Sequence, residues 1–252
     1  MIDPVPEKNI CNISTIWEEV ARAHGQSVTS ADSVTRAQQV LVDRYEGAVR
    51  RYLLAALRDR HAADEVFAEF ALRLVQGAFR NADPEKGRFR DFVKGVLFHL
   101  IADHHRKRKR NMPALPESSV EDAGASDPAA SDQEFLESWR AELLDRSWKA
   151  LQKIQEETGQ LFYAVLRFRA EHTEMRSPEM AERLSEQLGK PVNAAWVRQM
   201  LHRARDRFAD LLLEETMHTL REPTVEQLEQ ELIDVGLLEY CKPALDKLRA
   251  GG

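Results

Sequence analysis

Apolar residues recur at steps of three and four through almost the whole chain, and no stretch alternates apolar with polar residues over the length of a strand. That period places a stripe along one side of an α-helix, whereas a half-buried strand needs a period of two. The plainest case follows Gly87, where Phe89, Phe92, Val93, Val96, Leu97, Leu100 and Ile101 predict one core-facing side of a long helix. β-Branched residues are few, so the expectation is an all-α fold. At 252 residues and 43% hydrophobic content, the chain is long and apolar enough for two small cores.

The composition changes between Asn111 and Ser138, where Pro113, Pro116 and Pro128 mix with Ser, Ala and seven acidic residues, without a Lys or Arg. This predicts a flexible acidic linker over 111–138. It separates a helical domain over 1–110 from a second one over 139–222, followed by a tail over 223–252. In the first domain the spacing predicts a short helix from Ile13 to His24. A long helix follows from Ser33 to Leu57, with Val34, Ala37, Leu41, Ala48, Tyr52 and Ala55 mainly on one face. A third helix, Ala62 to Phe79, buries Val66, Phe70 and Leu74 and projects Asp64, Glu65 and Glu69 from its other side. The tail carries Val225, Leu228, Leu232 and Val235 at helical spacing, fit to pack on the fold or to bind a partner.

The formal net charge is −6, which excludes a uniformly basic nucleic-acid binder and leaves only local clusters for that role. Cys11 and Cys241 stand near opposite ends, so a disulfide framework is not expected and a reducing cytoplasm is. No apolar run approaches the roughly 18 to 20 residues that span a bilayer. The sequence holds no HExxH, CxxC, Gly-rich phosphate loop or GxSxG, and His104 and His105 are adjacent rather than on one helical face. Neither catalysis, nor a metal, nor a cofactor is expected.

Positive charge collects in two places. Arg106, Lys107, Arg108, Lys109 and Arg110 follow His104 and His105 at the end of the fourth helix, and on a helix they point in every direction, so core packing cannot use them. One or two cations there would offset the C-terminal dipole; five in a row repel one another unless an anion such as nucleic-acid phosphate neutralises them. Lys86, Arg88, Arg90 and Lys94 continue the strip, with Phe89, Phe92 and Phe98 interleaved, as suits single-stranded DNA, although the period assigns Phe89 and Phe92 to the core. The turn before this helix, Asp83-Pro84-Glu85-Lys86-Gly87, is well punctuated and rigid enough to form a pocket for an extruded base.

The second place is a helix-turn-helix. Ser177 suits an N-cap, Pro178 a first helical position and Gly189 a stop. Asn193 then caps a longer helix whose seam is Val197, Leu201, Ala204, Phe208 and Leu211. Opposite the seam lie Ala195, Gln199 and His202, flanked by Arg198 and Arg203, the kind of face a recognition helix presents to the major groove. Before this hairpin, Phe135, Leu136, Trp139, Leu143, Leu144, Trp148, Leu151, Phe162, Val165 and Leu166 predict two amphipathic helices with core aromatics.

Together these residues resemble the extracytoplasmic-function class of bacterial RNA polymerase sigma factors. Asp64-Glu65-Val66, Glu69 and Leu72-Arg73-Leu74 are similar to the family's polymerase-binding helix. Asp83-Pro84-Glu85-Lys86-Gly87-Arg88-Phe89-Arg90 resembles its promoter-melting D-P-E-[RK]-G-x-F-R, and Ala102-Asp103-His104 the element before its basic end. Val197-Arg198 through Leu201-His202-Arg203-Ala204-Arg205 is similar to its recognition helix. Thr15-Ile16-Trp17 and the tail from Val225 to Leu232 are most similar to a subgroup common in planctomycetes. Departures are Ala68 in place of a usual Gln, Phe98-His99 in place of an Arg-Asn pair, and a longer turn, "GKPVN".

The resemblance implies contact with the clamp helices and flap of core RNA polymerase, the former through Asp64, Glu65, Glu69 and Arg73. It implies minus-ten recognition through Lys86, Arg88, Arg90, Lys94, His99 and Arg106 to Arg110. Minus-thirty-five recognition would use Asn193, Ala195, Trp196, Arg198, Gln199, His202 and Arg203. An anti-sigma factor or a kinase would be a partner of the kind that controls such a protein. Two other classes compete: a stand-alone helix-turn-helix regulator, which would bind duplex palindromes as a dimer, and a helical adaptor that binds only proteins.

Overall fold

The computed structural model describes Val20, Ala23 and residues 31–76, 88–111, 128–220 and 223–251. Nine helices and no strand occur among the described residues, so the fold is all-α. None of these helices is long and apolar enough to cross a membrane. The chain divides into two compact units, one of residues 1–142 with 217–228, the other of 143–216 with 229–252.

In the first unit, α1 spans Ala31–Leu57, α2 Arg60–Val75 and α3 Phe89–Asn111. Ala37, Leu41, Ala48 and Tyr52 of α1 meet the requirement set by their spacing: all are buried, as are Val66, Phe70 and Leu74 of α2 and Phe89, Val93, Leu97 and Leu100 of α3; Val49 and Leu53 of α1, not singled out by the spacing, are buried with them. Ala55, expected on the apolar face of α1, is exposed. Between α1 and α2 the chain reverses at Arg58, which takes a left-handed φ of 52°. Asp59 then caps α2, its carboxylate accepting the His61 and Ala62 N–H groups at 2.9 and 3.3 Å. Gln38 donates through Nε2 to the carbonyls of Ala23 and Val75 at 3.1 and 3.0 Å, giving the end of α2 a side-chain partner. Of the expected first helix, only Val20 and Ala23 are described, both helical and buried.

Helix α4 runs over Pro128–Thr158 and thus begins inside the segment that composition marks as linker. Its start, to Glu142, belongs to the first unit and its remainder to the second. Phe135 and Trp139 are each 2% exposed, and they enter the core of the first unit: Trp139 stacks on Tyr45 at 5.1 Å and Phe135 meets Tyr52 edge-on at 5.3 Å. That this stretch is helical has a local cause. Beyond Pro128 there is no further proline or glycine up to Thr158, and apolar side chains return at helical steps, so the acidic residues there lie on a helix instead of extending a coil. Residues 112–127, the rest of the expected linker, lie outside the described residues.

The second unit holds the end of α4, α5 (Phe162–Glu171), α6 (Ser177–Leu188), α7 (Ala194–Met217, to Thr216), and a tail of α8 (Val225–Asp234, from Glu229) and α9 (Leu238–Gly251). Leu151, Val165, Met180, Leu184, Val197, Leu201 and Ala204 form its buried cluster, and Trp148 packs on Phe208 with ring centres 4.7 Å apart. In the tail, Leu232, Val235, Leu237, Cys241 and Leu245 are buried, so its apolar stripe is spent on packing. Burial and the neighbouring Asp210 carboxylate push the Cys241 thiol up to about 12, which leaves it unreactive near neutral pH.

Candidate nucleic-acid interface

On α3 the core seam and the basic end are successive parts of one helix. Arg106 to Arg110 are all exposed. Arg106 donates to Asp103 at 2.5 Å, and Asp103 also lies 3.7 Å from Arg73. The hydrogen bond from Arg106, with the charges of Arg73 and Lys107, holds the Asp103 carboxyl below its ordinary range against its desolvation. Burial pushes the His105 imidazole down, and His104 and Arg108 beside it act in the same direction, so it stays neutral further into the acid range than a free histidine. His104 lies with Nδ1 3.8 Å from Glu65 of α2.

The minus-ten set divides by position. His99 is exposed, and Arg88 and Lys94 are half-buried, with the Lys94 ammonium 3.2 Å from Asp132 of α4. Lys86 and the turn from Asp83 to Gly87 lie outside the described residues. Arg90 must be removed from the set of exposed phosphate ligands, because its side chain is 6% exposed, with Nε 3.7 Å from Asp91. The cause is its register: Arg90, Val93 and Leu97 are spaced three and four apart, so Arg90 falls on the seam that faces the core. Phe98 shows the converse. It lies off that seam and is 60% exposed, its ring edge-on to His99 at 6.1 Å. It is the aromatic on the open side of this helix, while Phe89 is buried as its spacing requires.

The acidic face of α2 is exposed where the spacing places it. Glu65 is 74% exposed, and Asp64 accepts from Arg50 at 2.5 Å. Glu69 pairs with Arg73 at 2.9 Å. Leu72 and Val75, exposed on the same helix, were not singled out by the apolar period, yet they supply hydrophobic area next to these charges.

In the second unit Gly189 ends α6 in the left-handed conformation, with φ 61°. Helix α6 opens at Ser177, and the Glu179 carboxylate accepts the Arg176 N–H at 3.0 Å, so the cap lies one residue before the expected Ser177. The turn to α7 is pinned by Ser185, whose hydroxyl donates to Ala181 and accepts the Val192 N–H at 2.9 Å. Asn193 caps α7, its side-chain oxygen accepting the Trp196 N–H at 2.8 Å. Val197 and Leu201 are buried, while Ala195, Arg198, Gln199, His202 and Arg203 are exposed together. Trp196 is half-buried against the core cluster, which makes packing its evident task in this structure.

A helical scaffold thus carries an exposed block of cations at the end of α3 and a capped hairpin with a polar outer face. Residues 41–111 match the family model for sigma-70 region 2. The matched segment covers most of α1, all of α2 and all of α3. The match, over less than a third of the chain, is a likeness of this segment to region 2 of sigma-70 family sigma factors, which act with core RNA polymerase on promoter DNA. Neither the curated proteins nor the solved structures offer a match to this chain.

Proposed function

We propose that the protein is a sigma factor of the extracytoplasmic-function class, of the planctomycete-type subgroup, that works in the cytoplasm. Its region 2 segment binds the clamp helices of core RNA polymerase through Asp64, Glu65, Glu69 and Arg73 on α2. Lys94 and the cations from Arg106 to Arg110 hold the phosphates of the minus-ten region, with Arg88, Lys86 and His99 alongside. The α6–α7 hairpin reads the minus-thirty-five region as duplex through Ala195, Arg198, Gln199, His202 and Arg203, and its unit contacts the flap. Control by an anti-sigma factor or a kinase fits the same scheme.

The observation that supports this most is the presence, in one chain, of a sigma-70 region 2 match and a separate hairpin whose second helix is apolar on one side and polar on the other. Phosphate contacts position a protein on DNA and base-edge contacts specify the sequence, and the two surfaces divide these tasks. Opening the duplex requires no hydrolysis: extruding a base costs a few kcal/mol, which several phosphate contacts can offset. The test is to add the purified protein to core RNA polymerase with genomic templates. Promoter-dependent start sites are expected; association without any change in start-site choice, or no association, refutes the proposal.

A further inference from the structure

The start of α4 is attached to the first unit by contacts of several kinds. Trp139 stacks on Tyr45 and Phe135 packs edge-on to Tyr52. The hydroxyls of Tyr52 and Ser131 share a hydrogen bond of 2.8 Å. Glu142, buried, pairs with Arg51 at 2.5 Å. Its carboxylate occupies the space over Gly47, where any Cβ would collide with it. These anchors bring Asp132, next to Ser131, to 3.2 Å from the Lys94 ammonium. Both partners remain open to solvent, Asp132 at 58% and Lys94 at 34% exposure.

We propose that residues 128–142 form an acidic strap in which Asp132 occupies Lys94 as an intramolecular substitute for a DNA phosphate, lowering the affinity of the first unit for DNA. The proposal rests on the function put forward above, which gives Lys94 a phosphate contact. A carboxylate and a phosphate oxygen ask the same of an ammonium group: a negative acceptor at hydrogen-bond distance. The aromatic anchors are buried and stay in place, so only the exposed ion pair has to exchange. DNA that approaches Lys94 must displace Asp132, and it loses that part of its binding free energy.

Binding of a labelled single-stranded oligonucleotide of mixed sequence to the full chain, followed by anisotropy at low salt, tests this. Asp132→Asn is expected to tighten binding about two- to fivefold, the scale of one exposed ion pair. Lys94→Ala is expected to weaken it by up to about fivefold, the scale of one phosphate contact. In the Lys94→Ala background Asp132→Asn should give no gain. Glu137→Gln, which removes an equal charge from the same strap at a carboxylate that accepts from Gln133, should change little. Gly47→Ala, which forces Glu142 off Arg51 and loosens the strap, should also tighten binding.

An equal gain from Glu137→Gln, or a gain from Asp132→Asn that persists without Lys94, would reduce the effect to net charge and overturn the proposal. If Lys94→Ala has no effect while neutralising Arg106 to Arg110 does, the strap proposal fails and the DNA-binding reading survives. If neither change weakens binding, the DNA-binding reading itself fails.

Discussion

The end of α3 and the outer face of α7 are both cationic and exposed, but they present their charge in different ways. Arg106 to Arg110 are consecutive, so at 3.6 residues per turn they fan around the helix axis and no single face is distinguished. Ala195, Arg198, Gln199 and His202 are spaced three and four apart, and they share one face opposite buried Val197, Leu201 and Ala204. A fan of charge holds a polyanion in many registers. A face fixed by a core and a cap holds a few side chains in one register, which is what reading base edges requires. On the proposed function, the same residue types would serve positioning or selection according to how the helix beneath them is anchored.

The strongest challenge to this contrast is to neutralise Arg106, Lys107, Arg108, Lys109 and Arg110 together. At moderate salt we expect affinity for every DNA to fall by about 10²- to 10³-fold, and the slope of log affinity against log salt to drop by about three to four. Filter binding over a salt series measures both quantities, and an unchanged slope would mark the block as a solvated helix end. Arg198→Ala should act differently. It should cost about 1–3 kcal/mol on the preferred sequence and little on others, so a competition between randomised duplexes should show relaxed choice at one position.

A smaller effect tests the anchoring. Asn193→Ala removes the cap of α7 and should cost about 1 kcal/mol of stability by urea denaturation, with weaker duplex binding but unaltered single-strand binding. The least effect concerns pH. Burial lowers the folded-state pKa of His105 below its ordinary value of 6.5, so the unfolded chain takes up the proton first. Stability from this group is therefore intact above about pH 6.5 and declines as the pH falls below it. His105→Gln should flatten that acid-side decline in a thermal-melting series; an identical decline in the variant would assign it to other groups.

Much of the fold was legible because it depends on short-range spacing. The seams of α3 and α7, the left-handed stop at Gly189 and the Asn193 cap are set by residues within two turns of one another, and local steric and hydrogen-bonding preferences decide them. The same rule that assigned Phe89 to the core also places Arg90 on the buried seam, but counting it as a cation hid its register. Phe98 was legible in principle too, as an apolar residue off the seam, though only the packed structure shows it exposed among the described residues.

By itself, the amino-acid order determined that the chain is helical, where its charge is concentrated and which side of each long helix is apolar, since each of these depends on period and composition. Only the tertiary structure decided where the first unit ends. Pro, Ser and acidic residues ahead of Phe135 read as linker, yet Trp139 and Phe135 find Tyr45 and Tyr52, far earlier in the chain, and Glu142 finds the gap above Gly47. Whether an amphipathic helix packs on one partner or another depends on which complementary surface lies within reach once the chain has collapsed. That is a long-range property, and no local pattern encodes it.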